Sequence, residues 1–326
     1  MKQIEPLFNL RSELKRYKLN KQVGFEFKTR DGMTLQAYIS LPPDAALRTV
    51  LDVSDADKDY AKLGMLPVTP QKMVVTVHGG PTTRDIYAFN PQNAWLTNRG
   101  YAVLQVNYRG SGGFGKQMIN AGNGEWGRKM HFDILDAVEF ALAKGIANKT
   151  QIAIMGSSFG GYEVLVALTS SPHVFACGID IFGPSNLVTF ARTIPPYWTT
   201  SYLDFIRKIG GNPDTAEGRR SLEARSPLFS AERIIKPLMI LHGANDTSRL
   251  MAFILAEQFV KALQRRSIPV TYILYPDEGH GFVKVKANGF ALESSFSAKQ
   301  SHVQRQATRI RLVKSQYIDL RFIWDV

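Results

Sequence analysis

From residue 73 onward the chain alternates short apolar runs with longer amphipathic ones. Met73–Val77, Tyr101–Val106, Ile152–Met155, Phe175–Ile181, Leu238–Leu241 and Val270–Tyr275 are apolar stretches of strand length. Between them, Asn93–Arg99, His131–Leu142, the stretch after Ser158 through Leu165 and Leu168, and Leu250–Leu263 carry helical patterns. Strands apolar on both faces, alternating with helices, predict a mostly parallel, doubly wound α/β sheet covered on both sides. Ahead of this region, Val23–Thr29 and Thr34–Leu41 alternate apolar and polar residues about the turn Arg30-Asp-Gly-Met33, which predicts an N-terminal antiparallel hairpin. Pro42 and Pro43 end it. Residues 44–71 read as a polar, irregular segment, and residues 183–235 as a longer helical or irregular excursion.

Composition narrows the picture only at a few points. The chain of 326 residues is long enough for one large domain or two modest ones. Its one cysteine, Cys177, excludes an internal disulfide and lies in an apolar run, where a buried structural thiol is expected. No apolar run reaches the roughly eighteen residues of a membrane span, and the first residues lack the apolar core of a signal peptide. The net charge of +12 is carried by the ends: residues 1–30 and residues 284–326 each hold eight Lys/Arg against three Asp/Glu. The middle is nearly balanced, so specific nucleic-acid binding is not expected. Asp52–Asp59 holds four aspartates but lacks the glycine and closing glutamate of a calcium loop, so a solvated loop is expected there.

The candidate chemistry centres on Gly156-Ser-Ser-Phe-Gly160, which fits G-x-S-x-G between a strand and a helix. That context is the one a nucleophile elbow requires, with glycines where a Cβ would clash, and it places Ser158 as nucleophile. A serine hydroxyl needs a base, an orienting acid and an oxyanion hole. Asp246 leaves the strand 238–241 and His280 leaves the strand 270–275, so both stand in loops at carboxyl ends. The order Ser158, Asp246, His280 is that of α/β-hydrolases. Phe159 supplies one oxyanion N–H by position, and the second is expected from the 78–80 loop, with Gly80 preferred. His78 is expected to shape that glycine-rich loop. His131, His173, His242 and His302 are expected on helices, turns or the tail in surface or structural roles. Asp133, Asp136 and Glu139 read as the polar face of their helix. No cluster suggests zinc and no nucleotide fingerprint is present, Gly110–Gly115 lacking the required context, so neither a metal nor an organic cofactor is expected.

Four motifs in this order resemble the catalytic domain of the prolyl oligopeptidase family: His78-Gly-Gly-Pro81, Asn107–Gly115, Gly156–Tyr162 and Asp277–Phe282. The resemblance runs from about residue 20 to 283 and is nearest to the acylaminoacyl-peptidase and dipeptidyl-aminopeptidase-like branch. It implies an α/β-hydrolase fold and a serine peptidase acting on short peptides, with Ser158, Asp246 and His280 as triad and the Gly80 and Phe159 amides as oxyanion hole. Phe182, Tyr197 and Trp198 are candidates to line an apolar pocket for the residue before the scissile bond, or belong to the core. The chain departs from the family at Glu163, where a small residue is usual, and at Asp246–Arg249, which replaces a proline-containing turn.

The expected organisation is an arm or linker over 1–22 in place of the family's β-propeller, a catalytic domain over 23–283 and an atypical basic tail over 284–326. An abrupt loss of resemblance after residue 283 is what a shifted reading frame would produce. The expected function is aminopeptidase or oligopeptidase activity through an acyl-enzyme. The alternatives are a small-molecule carboxylesterase and an inert remnant of a larger peptidase. Short peptides are the expected partners, with no membrane; a homo-oligomer is left open, and family analogy places the protein in the cytoplasm.

Overall fold

The computed structural model describes residues 12–19, 21–193, 199–246, 252–282 and 309–312. The chain opens with the hairpin of β1 (Gln22–Lys28) and β2 (Thr34–Ser40), then α1 (Lys58–Leu63), β3 (Gln71–Val77), α2 (Pro91–Asn98) and β4 (Ala102–Val106). Helices α3 (Lys116–Ala121) and α4 (Lys129–Ala143) lead to β5 (Ala147–Ser157), α5 (Phe159–Ser170) and β6 (Cys177–Ile181). The excursion is helical, with α6 (Leu187–Arg192), α7 (Thr199–Ile209) and α8 (Ala216–Glu223). Strand β7 (Leu238–Gly243), α9 (Ala252–Arg265), β8 (Val270–Tyr275) and β9 (Arg309–Leu312) complete the described elements.

The strands lie in the order β1-β2-β4-β3-β5-β6-β7-β8-β9. Strand β2 is antiparallel to both β1 and β4, and every pairing from β4 to β9 is parallel. The chain therefore enters the parallel region at β3, builds outward to β4, and crosses back to place β5 on the other side. This reversal creates a crevice at the carboxyl ends of β3 and β5, where ligands bind in such sheets. Alternation along β3 shows why both faces are covered. Met73, Val75 and Val77 belong to one buried cluster, while Val74 joins a second cluster with Ala153, Met155, Ile179 and Leu241.

Two local outcomes differ from the sequence pattern, and a third adds to it. The segment 44–71 is not wholly irregular: α1 forms within it and ends at Gly64, whose φ of 75° gives the left-handed cap. Beside it Met65 and Leu66 are fully buried, Asp57 pairs with Lys144 at the end of α4, and Leu47 bridges Pro67. This tertiary anchoring outweighs a polar local composition. Strand β7 runs two residues beyond its expected end, so His242 lies on a strand rather than a turn. Within the segment read as a basic tail, β9 pairs in parallel with β8, Thr271 opposite Arg309 through Leu274 opposite Leu312.

Candidate active site

Strand β5 ends in a turn so tight that Ser158 takes φ 57° and ψ −117°, a conformation that side-chain-bearing residues rarely adopt. The turn closes because glycine stands at 160: a Cβ there would lie 2.0 Å from the carbonyl oxygen of Val77. The backbone N–H of Ser158 donates to the Ile181 carbonyl at 2.9 Å, tying the elbow to β6. Helix α5 follows with Phe159 through Thr169 all buried, so Ser158 stands on a packed support.

Loops after β7 and β8 bring the other two candidates to the same place. The Ser158 Oγ lies 3.1 Å from Nε2 of His280, and Nδ1 of His280 lies 2.8 Å from Oδ2 of Asp246. The Asp246 side chain is fully buried, whereas that of His280 keeps 26% of its exposure, so the imidazole meets solvent and the carboxylate does not. The Phe182 ring packs against the His280 imidazole with centroids 4.7 Å apart and meets Phe282 edge-on at 5.6 Å. Phe182 itself is buried and held at φ 47°, its N–H donating to the Leu241 carbonyl at 2.8 Å. It therefore borders the site through His280. Tyr197 and Trp198, the other two pocket candidates, lie outside the described residues, as does His302.

The glycine-rich loop after β3 backs onto Ser158. A Cβ on Gly79 would stand 3.4 Å from Cβ and 4.0 Å from Oγ of Ser158. At Gly80, with φ 117°, a Cβ would fall 2.6 Å from the Thr82 amide, so only glycine fits this turn. Phe159 is the first residue of α5, where backbone N–H groups have no intrahelical acceptor. His78 braces the loop: Nε2 contacts Ser111 Oγ at 3.0 Å, Nδ1 contacts Tyr108 Oη at 3.0 Å, and the ring stacks on Tyr108. Burial pushes its imidazole down to about 4, which leaves it neutral at ordinary pH.

Several other titratable groups are buried or paired elsewhere in the fold. Asp133 does not belong to a solvated helix face; it is buried and paired with Arg109, which also holds Asp31. Asp136 pairs with Arg30 in the hairpin turn. Glu163 is fully buried on α5 and faces Nδ1 of His131 at 3.5 Å, while His131 Nε2 contacts Ser171 Oγ at 2.9 Å. Asp180, buried on β6, accepts the Gly183 N–H at 2.8 Å, and burial pushes its carboxyl up to about 8. Burial likewise pushes the Cys177 thiol up to about 12, so it is a packing group. Among the described residues no helix is long and apolar enough to cross a membrane.

Comparison with known proteins gives this geometry a context. The sequence pattern of the prolyl oligopeptidase family matches residues 87–303. Dipeptidyl peptidase family member 6 of Caenorhabditis elegans is 61% identical over 283 residues, covering 87% of this chain and 38% of the relative. Dipeptidyl aminopeptidase BIII of Pseudoxanthomonas mexicana is 48% identical over 282 residues, covering 86% of this chain and 38% of the relative. Among solved structures, a puromycin-hydrolyzing peptidase of Mycobacterium tuberculosis superposes with a TM-score of 0.72 at 28% identity, covering 90% of this chain and 40% of that one. The chain thus spans well under half the length of the proteins it matches.

Proposed function

The chain belongs to the prolyl oligopeptidase family of serine peptidases, and from that premise we propose that it cleaves short peptides near their amino ends through an acyl-enzyme on Ser158. The observation that carries the proposal is the unbroken chain of contacts from Ser158 Oγ through both nitrogens of His280 to Asp246. The names of the two relatives, a dipeptidyl peptidase and a dipeptidyl aminopeptidase, favour removal of short amino-terminal fragments.

In this mechanism Ser158 Oγ attacks the carbonyl carbon while its proton passes to Nε2 of His280. Asp246, buried against Nδ1, keeps that nitrogen protonated and stabilises the imidazolium. The negative charge formed on the carbonyl oxygen is received by the N–H groups of Phe159 and Gly80, which are fixed before the substrate arrives. Collapse of the tetrahedral intermediate breaks the C–N bond, and Nε2 returns its proton to the leaving amine. Water then attacks the ester, its proton taken by His280, and the acid leaves with Ser158 restored. Phe182 forms an apolar wall beside this point for the residue that precedes the scissile bond.

The test is labelling of the purified chain with a fluorophosphonate, beside Ser158→Ala. Such a probe needs an activated serine and an oxyanion hole but no particular substrate. Labelling that disappears in Ser158→Ala is the expected result, with turnover of dipeptidyl p-nitroanilides exceeding that of simple aryl esters relative to their uncatalysed rates. A folded chain that takes no label would refute the proposal.

A further inference from the structure

At the carboxyl end of β7, His242 is fully buried, and neither of its ring nitrogens has a hydrogen-bond partner among the described residues. Buried imidazoles are normally paired, and an apolar side chain would fill the same space without leaving polar atoms unmet. The ring is not remote from the chemistry. Its Nε2 stands 4.0 Å from Oδ2 of Asp246, the same oxygen that Nδ1 of His280 reaches at 2.8 Å. Burial holds the His242 imidazole down to about 4; the Asp246 charge works against this and the His280 charge with it.

A neutral imidazole carries one N–H, and the nearby carboxylate favours the tautomer that places it on Nε2. We infer that His242 is a positioning residue for Asp246, its Nε2–H directed at Oδ2 as a further donor beside His280. A shift of about 1 Å brings the contact to hydrogen-bond length. The consequence is twofold. The carboxylate is held in the plane that His280 needs, and part of its charge is taken up by His242, so His280 binds its proton less tightly than it would beside Asp246 alone. The inference rests on the serine chemistry proposed above.

The test uses the full chain and two variants. In the wild-type protein, nitrogen–proton NMR of the imidazoles is expected to show His242 protonated on Nε2 and bare on Nδ1 from about pH 6 to pH 9. In His242→Leu, kcat is expected to fall about tenfold with KM within about twofold, and the acid limb of the kcat/KM profile to move upward by about half a pH unit. His242→Gln, which offers an N–H at similar reach, is expected to restore both. A His242→Leu protein that folds with unchanged kcat and an unmoved acid limb overturns the inference, as does a proton found on Nδ1. If the leucine variant does not fold, the tautomer still decides. If the wild-type chain takes no fluorophosphonate, the serine reading falls, while the tautomer still reports whether His242 addresses Asp246.

Discussion

Arg109 stands three residues beyond the carboxyl end of β4, and Asp246 stands three residues beyond that of β7. Both are charged and almost wholly buried, yet their surroundings are opposite. The Arg109 guanidinium donates to both oxygens of Asp133 and both oxygens of Asp31 at 2.7–3.1 Å, so its planar fork is filled. Burial raises Asp133 to about 6, still ionised at neutral pH because Arg109 opposes the shift, while Asp31 is held well below the usual carboxylate range by its hydrogen bonds from Arg109 and Thr29. Around Asp246 the contacts run in a line instead, from a carboxylate to an imidazole to a hydroxyl, with the His242 imidazole 4.0 Å from the same carboxylate oxygen. The first cluster is closed and has no proton to pass on. The second runs from a buried carboxylate outward to a hydroxyl through one partly exposed imidazole. Burial alone therefore does not mark a candidate site; the two clusters differ in whether the contacts close on one guanidinium or lead outward through an imidazole to a hydroxyl.

Substitutions can break this contrast. The largest effect is expected at Asp246→Asn, which removes the charge and favours the wrong His280 tautomer. The rate of labelling or of p-nitroanilide turnover should fall by on the order of 10⁴-fold, with little change in urea unfolding. Arg109→Leu should do the reverse. It leaves two carboxylates without their partner, so stability should drop by about 3–5 kcal/mol, measured by urea unfolding, while the rate per folded molecule stays the same. If Arg109→Leu abolished labelling in a folded protein, the division between the two clusters would be lost.

A smaller effect sharpens the comparison through pH. The Asp180 carboxyl ionises near 3.8 when unfolded and near 8 when buried on β6. Between those values the folded state binds the extra proton, so this group's stabilisation is fully present below 3.8 and fades as pH rises through 8. The expected slope is up to about 1.4 kcal/mol lost per pH unit. In Asp180→Asn that contribution to the slope should vanish. Unfolding free energies measured from about pH 5 to pH 9 would show it, and an identical slope in both proteins would exclude Asp180 as its source.

The parts that could be read from the sequence share one property: their signal is local. The strands β3 to β8 announce themselves as apolar runs, the elbow at Ser158 by its two glycines, and Asp246 and His280 by following strands directly. What escaped reading depends on partners far along the chain. Asp133 looked like helix surface because Arg109, 24 residues earlier, is what draws it inward. Helix α1 escaped because Lys144 and the neighbouring buried pair Met65 and Leu66 fix a segment whose own composition is polar. His242 read as a turn residue because nothing nearby shows that β7 runs on to Gly243. Phe182 was legible as an aromatic near the site, but its packing against His280 crosses from β6 to the loop after β8.

The separation of 122 residues between Ser158 and His280 has a consequence in time as well as in space. During synthesis at about 5–20 residues per second, Ser158 emerges on the order of 6–24 s before His280. On the proposed chemistry, the growing chain carries throughout that interval a serine with no means of activating it, among neighbours rich in peptide bonds. On that chemistry, reactivity would arrive only when β8 docks beside β7 and brings His280 to Ser158, so late sheet assembly would itself act as a safety catch.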